Sequence, residues 1–344
     1  MALLFIDSFD HYDGDHVHCK YTSGFFYGGI VVGKGRCGTN CMGLGLFTAM
    51  NKGLVFGSAT GTIGFAFYIV KDRTAFSISP VYLNGIGGTH CVVTYHFGDG
   101  SLEVYRETNN AWVSLGRTAP DLIRMDTWYY LELQYFVHAS AGSMSLRINN
   151  VEHLTFTGKT VGSAGGVDYG ADLRSVTWRC PSNCEWYMDD LYILDSTGPA
   201  PWNTFLGDVR VEYLRPRAAG TYQEWTPVGA ASHWQAVDDL YTPDDDATYV
   251  SANAPDLRDT NLYRPTGLPS GPVYGAQLSL LVRKTEAGPR ILAPMMNGAV
   301  GPSYAPSEVS YTYLHQPYGP NPATGTQWTI AEINAIDAGV KVVS

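Results

Sequence analysis

The chain has 344 residues, of which 45% are hydrophobic and only 16% charged, with a formal net charge of −10. At a prior of about 100–200 residues per domain, that length predicts two domains, each able to bury its own core. Divided at Gly198, each half carries −5. With no basic stripe on either side nucleic acid is excluded as a partner, because binding it needs clustered Lys and Arg to displace counterions.

The first residues, "MALLFIDSFDHYDGD", are apolar only from Ala2 to Ile6 and lack the basic start and longer apolar core of a secretory signal. No run approaches the roughly 18 apolar residues of a membrane helix, so no membrane association is expected. Next, "DHYDGDHVHC" crowds Asp10, His11, Asp13, Asp15, His16, His18 and Cys19 together. These are residue types that bind zinc or another divalent ion, but a solvated loop is the preferred reading. The glycine-rich "YGGIVVGKGRCGTN" is neither G-x-G-x-x-G nor followed by a helical pattern, and its glycines are read as serving turns and close packing.

All six cysteines precede residue 185. Cys37 and Cys41, and likewise Cys180 and Cys184, have C-x3-C spacing, which is compatible with free thiols, local disulfides or half of a zinc site.

Glycine (38 residues) and tyrosine (23 residues) are abundant, which favours short aromatic strands joined by turns. "TIGFAFYIV" is apolar on both faces and predicts a central strand. "CVVTYHF" and "SLEVYRE" flank an Asp-Gly turn and predict a hairpin. In "TWYYLELQYFV", Tyr129, Leu131, Leu133, Tyr135 and Val137 share one face while Glu132 and Gln134 share the other. "MSLRINN" repeats the alternation, so the two predict a second hairpin. "SVTWR" and "EWYMDDLYIL" complete a set of short strands with turns about every ten residues, the pattern of a sandwich or jelly roll. Adjacent residues of a regular strand point to opposite faces, so Asp189 and Asp190 are read as a polar structural pair, not as a catalytic acid and base.

"DSTGPAPWNTF" interrupts both helix and sheet and marks a boundary. Beyond it, "GDVRVEYL", "TYVSA", "GAQLSLLV" and "VSYTYL" are strand candidates. "EWTPVGAASHWQAVDD" places Trp225 and Trp234 in irregular chain, where an exposed ring could stack on a sugar or a partner. In "TPDDDATYV", Asp244 and Asp246 offer oxygen ligands of the kind calcium uses, without the glycine and distal glutamate of an EF-hand. "WTIAEINAIDAG" predicts one helix, with a capping box between Thr329 and Glu332 and Gly339 as terminator, before a final "VKVV" strand. No G-x-S-x-G, P-loop or H-E-x-x-H motif occurs.

The run "DTWYYLELQYF", the hairpin to "MSLRINN" and the closing "WYMDDLYILD" resemble the laminin-G and concanavalin-A-like jelly rolls. "FLGDVRVEYLRP", "WTPVGAASHWQAVDD", "DDDATYVSA" and "NPATGTQWTIAEINAIDAGVKVV" resemble the C-terminal region of virion structural proteins of tailed bacteriophages. The expectation is an all-β chain: a jelly roll over residues 1–197, a linker over 198–206 and a smaller β-rich domain with one short helix over 207–344. The resemblance implies a non-enzymatic structural component of a phage particle, on the tail or decorating the head. It would be made in the host cytoplasm, present in multiple copies or as a homo-oligomer, and bound to other virion proteins. The alternative is an adhesin that attaches the particle to a host glycan. No cofactor is expected apart from calcium, which rests on Asp244 and Asp246 alone.

Overall fold

In a computed structural model the protein is built almost wholly of strands. The structure describes residues 3–23, 28–45, 48–70, 77–180, 184–263, 268, 270–286, 288–306 and 309–344. The chain divides into two compact units. The first comprises the residues up to Phe9 together with Tyr21–Val211, and the second comprises Asp10–Lys20 together with Glu212–Ser344.

The first unit is a sandwich of two sheets, antiparallel but for the parallel pairing of Ser163 with Thr108. One has the order Val151–Gly158, Gly142–Ile148, Trp128–Phe136, Thr60–Ile69, Trp186–Leu194, Cys41–Leu44, Gly29–Val31, with Leu3–Asp7 also paired to Trp186–Leu194. Thr60–Ile69 lies centrally, as its two-sided hydrophobicity predicts, and every residue from Gly61 to Phe67 is buried. The expected hairpin of Trp128–Phe136 with Gly142–Ile148 is present, with Leu131 opposite Ile148 and Leu133 opposite Leu146. The other sheet runs Val167–Asp168, Ser163–Ala164, Ser101–Thr108, Thr89–His96, Ser77–Gly85, Leu173–Cys180, Thr48–Ser58, Thr22–Ser23, with Ala111–Arg117 on Ser101–Thr108. The sheets meet through rings such as Phe65 from one and Trp178 from the other, edge to face at 6.4 Å. Gly64 has no side chain because Tyr192 fills that space: a Cβ there would lie 2.1 Å from the Tyr192 ring.

"GDVRVEYL" is not a strand. Its start, within the first unit, is held by side chains in place of a ladder. Gly207 N–H donates to Glu132 Oε1 at 2.8 Å, Asp208 N–H to Asn150 Oδ1 at 2.8 Å, and Val211 N–H to Asp190 Oδ1 at 2.8 Å. With these donors satisfied, no neighbouring strand is required.

The second unit contains a five-stranded sheet, in the order Pro216–Gln223, Arg258–Tyr263, Ile336–Val342, Leu292–Met296, Ala299–Val300. It also holds the pairs Thr226–Val228 with Tyr249–Ser251 and Ala276–Val282 with Thr312–Tyr318. Its core gathers Leu278, Met296, Trp328, Ile333, Ile336 and Ala338. The capping box of Thr329 and Glu332 is present, but the helix is a single turn, Ile330–Ile333. Gly339 does not end it. From Ile336 the buried residues alternate as in a strand, and Gly339 lies mid-strand, where a Cβ would meet the Asp259 carbonyl oxygen at 1.9 Å. The inserted segment adds a second short helix, Val17–Lys20.

Candidate functional site

In the second sheet of the sandwich, strand alternation sends Val81, Leu83, Val93, Tyr95, Leu102, Val104, Val176 and Trp178 into the core, all at most 2% exposed. The alternate positions therefore share the open face. Register sets Thr177 opposite both Asn51 and Tyr82, Ser175 opposite Asn84, and Arg179 opposite Ala49. Ala49, Asn51, Tyr82, Asn84, Thr89, Thr177 and Arg179 line a cavity of about 230 Å³ there.

Three of its polar groups, on Asn84, Thr89 and Thr177, are fixed by one another. Asn84 Nδ2 donates to Thr177 Oγ1 at 2.8 Å, and Thr89 Oγ1 donates to Asn84 Oδ1 at 2.9 Å. Thr89 N–H donates to Glu107 Oε2 at 3.1 Å. The Arg179 guanidinium lies over the Tyr82 ring, 5.1 Å from its centre. Asn51 Oδ1 is buried without a hydrogen-bond partner among the described residues.

Further along the same face, His96 Nε2 is 3.0 Å from Glu103 Oε2, and Tyr105 Oη donates to that oxygen at 2.6 Å. Burial opposes the Glu103 carboxylate, but hydrogen bonds from Ser114 and Tyr105 and the charges of His96 and Arg117 outweigh it and hold the pKa below the usual value. Burial, and then Glu103, push the Tyr105 phenol up to about 12. The face thus presents amides, hydroxyls, an aromatic ring and a guanidinium, with groups able to carry a proton beside them.

The aspartate pair lies elsewhere in the first unit. The strand is bulged at Asp190, whose φ is 50°, so the opposite-face rule of a regular strand does not hold and both carboxylates reach the same loop. Asp189 Oδ2 accepts from Arg36 N–H at 2.9 Å, while Asp190 Oδ2 is 3.5 Å from the Arg36 guanidinium, which also pairs with Asp208. The pair anchors residue 36 and the 207–211 segment.

Trp225 is half-buried against the cluster of Leu292, Val340 and Val342, and its Nε1 donates to Leu257 O at 3.2 Å. Trp234 is half-buried in a short turn, Trp234–Ala236. Asp244 accepts from Thr248 N–H and Oγ1, both at 3.0 Å, and Asp246 accepts from Arg283 at 2.5 Å and from Tyr311 at 2.8 Å. Each carboxylate of the proposed calcium pair is therefore engaged by protein. No group of three or more His, Cys, Asp or Glu in a metal-holding arrangement occurs among the described residues. In the second unit, His16 bridges Asp13 at 2.6 Å and Asp245 at 3.0 Å, and His11 stacks on Tyr213 at 5.2 Å. Cys180 and Cys184 are joined as a disulfide, while Cys37 and Cys41 are not joined to each other: Cys37 is exposed and Cys41 buried.

None of the cavity residues belongs to a catalytic or metal pattern in the sequence. The available signal was the polar phase of strands whose other phase is apolar: Ser175, Thr177 and Arg179 in "SVTWR", and Tyr82 and Asn84 in "VYLNG".

No protein-family model matches the chain, and no curated protein matches it in sequence. Similar solved structures include the galectin LEC-6 of Caenorhabditis elegans, at 10% identity and TM-score 0.33, covering 44% of this chain and 94% of the galectin. The carbohydrate-binding module CBM66 of Bacillus subtilis is similar at 6% identity and TM-score 0.35, covering 51% and 95%. A carbohydrate esterase of a Shiga toxin-encoding bacteriophage is similar at 13% identity and TM-score 0.38, covering 55% and 99%. The chain is an all-β protein with a lectin-like jelly-roll sandwich. One expectation is corrected: the non-enzymatic reading is not upheld, since that esterase and family 7 alginate lyases are among the similar structures.

Proposed function

We propose that the first unit binds carbohydrate in the cavity on the open face of its second sheet. The observation that carries this reading is the lining itself. Two amides, two threonine hydroxyls, a guanidinium and a tyrosine ring converge on one hollow, and sugars present both hydroxyls and an apolar ring face. Its volume, about 230 Å³, suits one ring of a longer glycan. Because the Asn84 amide and the Thr89 and Thr177 hydroxyls already hold one another in place, little of their side-chain freedom is lost on binding.

The test is a glycan array on the purified protein, followed by titration of the best ligand. Asn84→Ala removes the amide at the centre of the network and should weaken binding roughly tenfold, and Tyr82→Ala should do the same. Trp112→Ala, on the exposed strand Ala111–Arg117, should leave binding unchanged. If no glycan is retained, or if the two cavity variants bind like the wild type with unaltered melting, the reading fails.

A virion setting, in which the protein attaches a phage particle to a host glycan, is supported by the resemblance of the second unit's segments to tailed-phage structural proteins. Locating the chain by labelled antibody on intact particles tests it, and absence from purified particles rules it out.

A further inference from the structure

We infer that the glycan taken by this cavity is acidic, carrying a uronate or sialate carboxylate that pairs with Arg179; the inference rests on the carbohydrate-binding reading above. Arg179 is the one charged side chain in the lining, and it makes no ion pair among the described residues. Three other guanidiniums of the first unit are set against carboxylates, Arg36 with Asp190 and Asp208, Arg117 with Asp99 and Arg174 with Asp172, while Arg147 lies over the Phe205 ring as Arg179 lies over Tyr82.

Arg179 is also held in place. It packs over Tyr82, and its strand neighbours Thr177 and Cys180 are both buried. A guanidinium fixed by an aromatic ring keeps its N–H fork available for a planar carboxylate, which it can bind through two parallel hydrogen bonds. Glu107, beside Thr89, is the neighbouring acid that could compete. Its carboxylate accepts from Thr89 N–H and is hydrogen-bonded to Tyr169. Asp172 and Glu103 are likewise committed, to Arg174 and to the His96–Tyr105 group.

The net charge of −10 does not oppose this. At physiological ionic strength, charges more than about 8 Å apart are largely screened, so the nearest cation decides. A neutral hexose would meet the same amides and hydroxyls but leave the guanidinium unused. The cavity therefore discriminates by charge.

The experiment compares oligogalacturonate with its methyl ester, and sialyllactose with lactose, by calorimetric titration of the wild type, Arg179→Met and Arg179→Lys. The methyl ester keeps the shape of the acid and removes only its charge. The expected result is that esterification weakens binding about ten- to hundredfold, that Arg179→Met abolishes this difference, and that Arg179→Lys retains part of it. Binding of the acid should weaken with added salt, while any binding of the ester should not. If acid and ester bind equally, or Arg179→Met preserves the preference, the inference is overturned and the carbohydrate reading stands. If no glycan of either kind binds, both fall. Arg179 is exposed, so the variants should fold as the wild type does, which a melting curve checks.

Discussion

Replacing Tyr192 with Phe removes a single hydroxyl from the seam that holds the 206–211 segment onto the sandwich. That hydroxyl donates to the buried Glu132 carboxylate and accepts from Leu206 N–H at 3.2 Å, while Glu132 also accepts from Gly207 N–H. A hydrogen bond to a charged group contributes about 1.5–3 kcal/mol, and a donor left without its acceptor costs about 1–3 kcal/mol. Leu206 is only half-buried and can recover a water, so the expected loss is about 2–4 kcal/mol. For a unit of about 200 residues, that lowers Tm by roughly 5–15 °C, and in urea the midpoint falls at constant slope. Glu132→Gln is the companion variant. Burial raises the Glu132 pKa above its ordinary 4.5, and the hydrogen bonds from Tyr192 and Gly207 offset only part of that rise. A carboxyl with a raised folded pKa contributes stability that is complete below 4.5 and is lost as pH climbs through the raised value. The wild type should therefore lose stability from about pH 4.5 upward relative to Glu132→Gln, whose amide oxygen still accepts both bonds. A Tyr192→Phe protein melting within about 1 °C of wild type would refute the reasoning, as would identical pH profiles for wild type and Glu132→Gln.

Burial opposes protonation of His16, but its hydrogen bonds to Asp13 and Asp245 win and raise its pKa above 6.5. Its contribution should be complete below pH 6.5 and vanish as pH rises through the raised value, so the Tm of His16→Asn should approach that of wild type in alkali, as scanning calorimetry across pH 6–9 would show. Gly64→Ala drives a Cβ into the Tyr192 ring and should destabilise by at least about 1–3 kcal/mol, measured by urea unfolding. Alkylation of the denatured, unreduced protein should label four thiols, Cys19, Cys37, Cys41 and Cys91, and prior reduction should raise the count to six by mass spectrometry.

Elements governed by neighbouring residues were readable from sequence. The alternation of Leu131, Leu133 and Tyr135, with its mirror in Met144, Leu146 and Ile148, determined a hairpin, and Thr329 with Glu332 determined a cap. Elements governed by distant residues were not readable. Val209 and Val211 alternate as strand residues do, yet their segment is held by Glu132, Asn150 and Asp190, which are remote in sequence. Gly339 looked like a helix terminator because its real constraint, the Asp259 carbonyl, lies 80 residues away. The cavity shares this character. Asn51, Tyr82, Asn84, Thr177 and Arg179 are ordinary surface residues until strand order brings three separate strands together.

The division of the chain has a consequence for synthesis. A ribosome delivers Asp10–Lys20 ahead of Tyr21–Val211, but the unit those residues belong to is otherwise made from Glu212 onward. Eleven residues must therefore wait, undocked, while about 190 others emerge and fold. Folding of the second unit therefore follows synthesis of the first and has high contact order. Severing the chain at residues 198–206 would not yield two complete bodies: one fragment would carry a segment foreign to it, and the other would lack one of its own parts. Supplying residues 10–20 as a separate peptide would then be a form of complementation, with the C-terminal fragment as the acceptor.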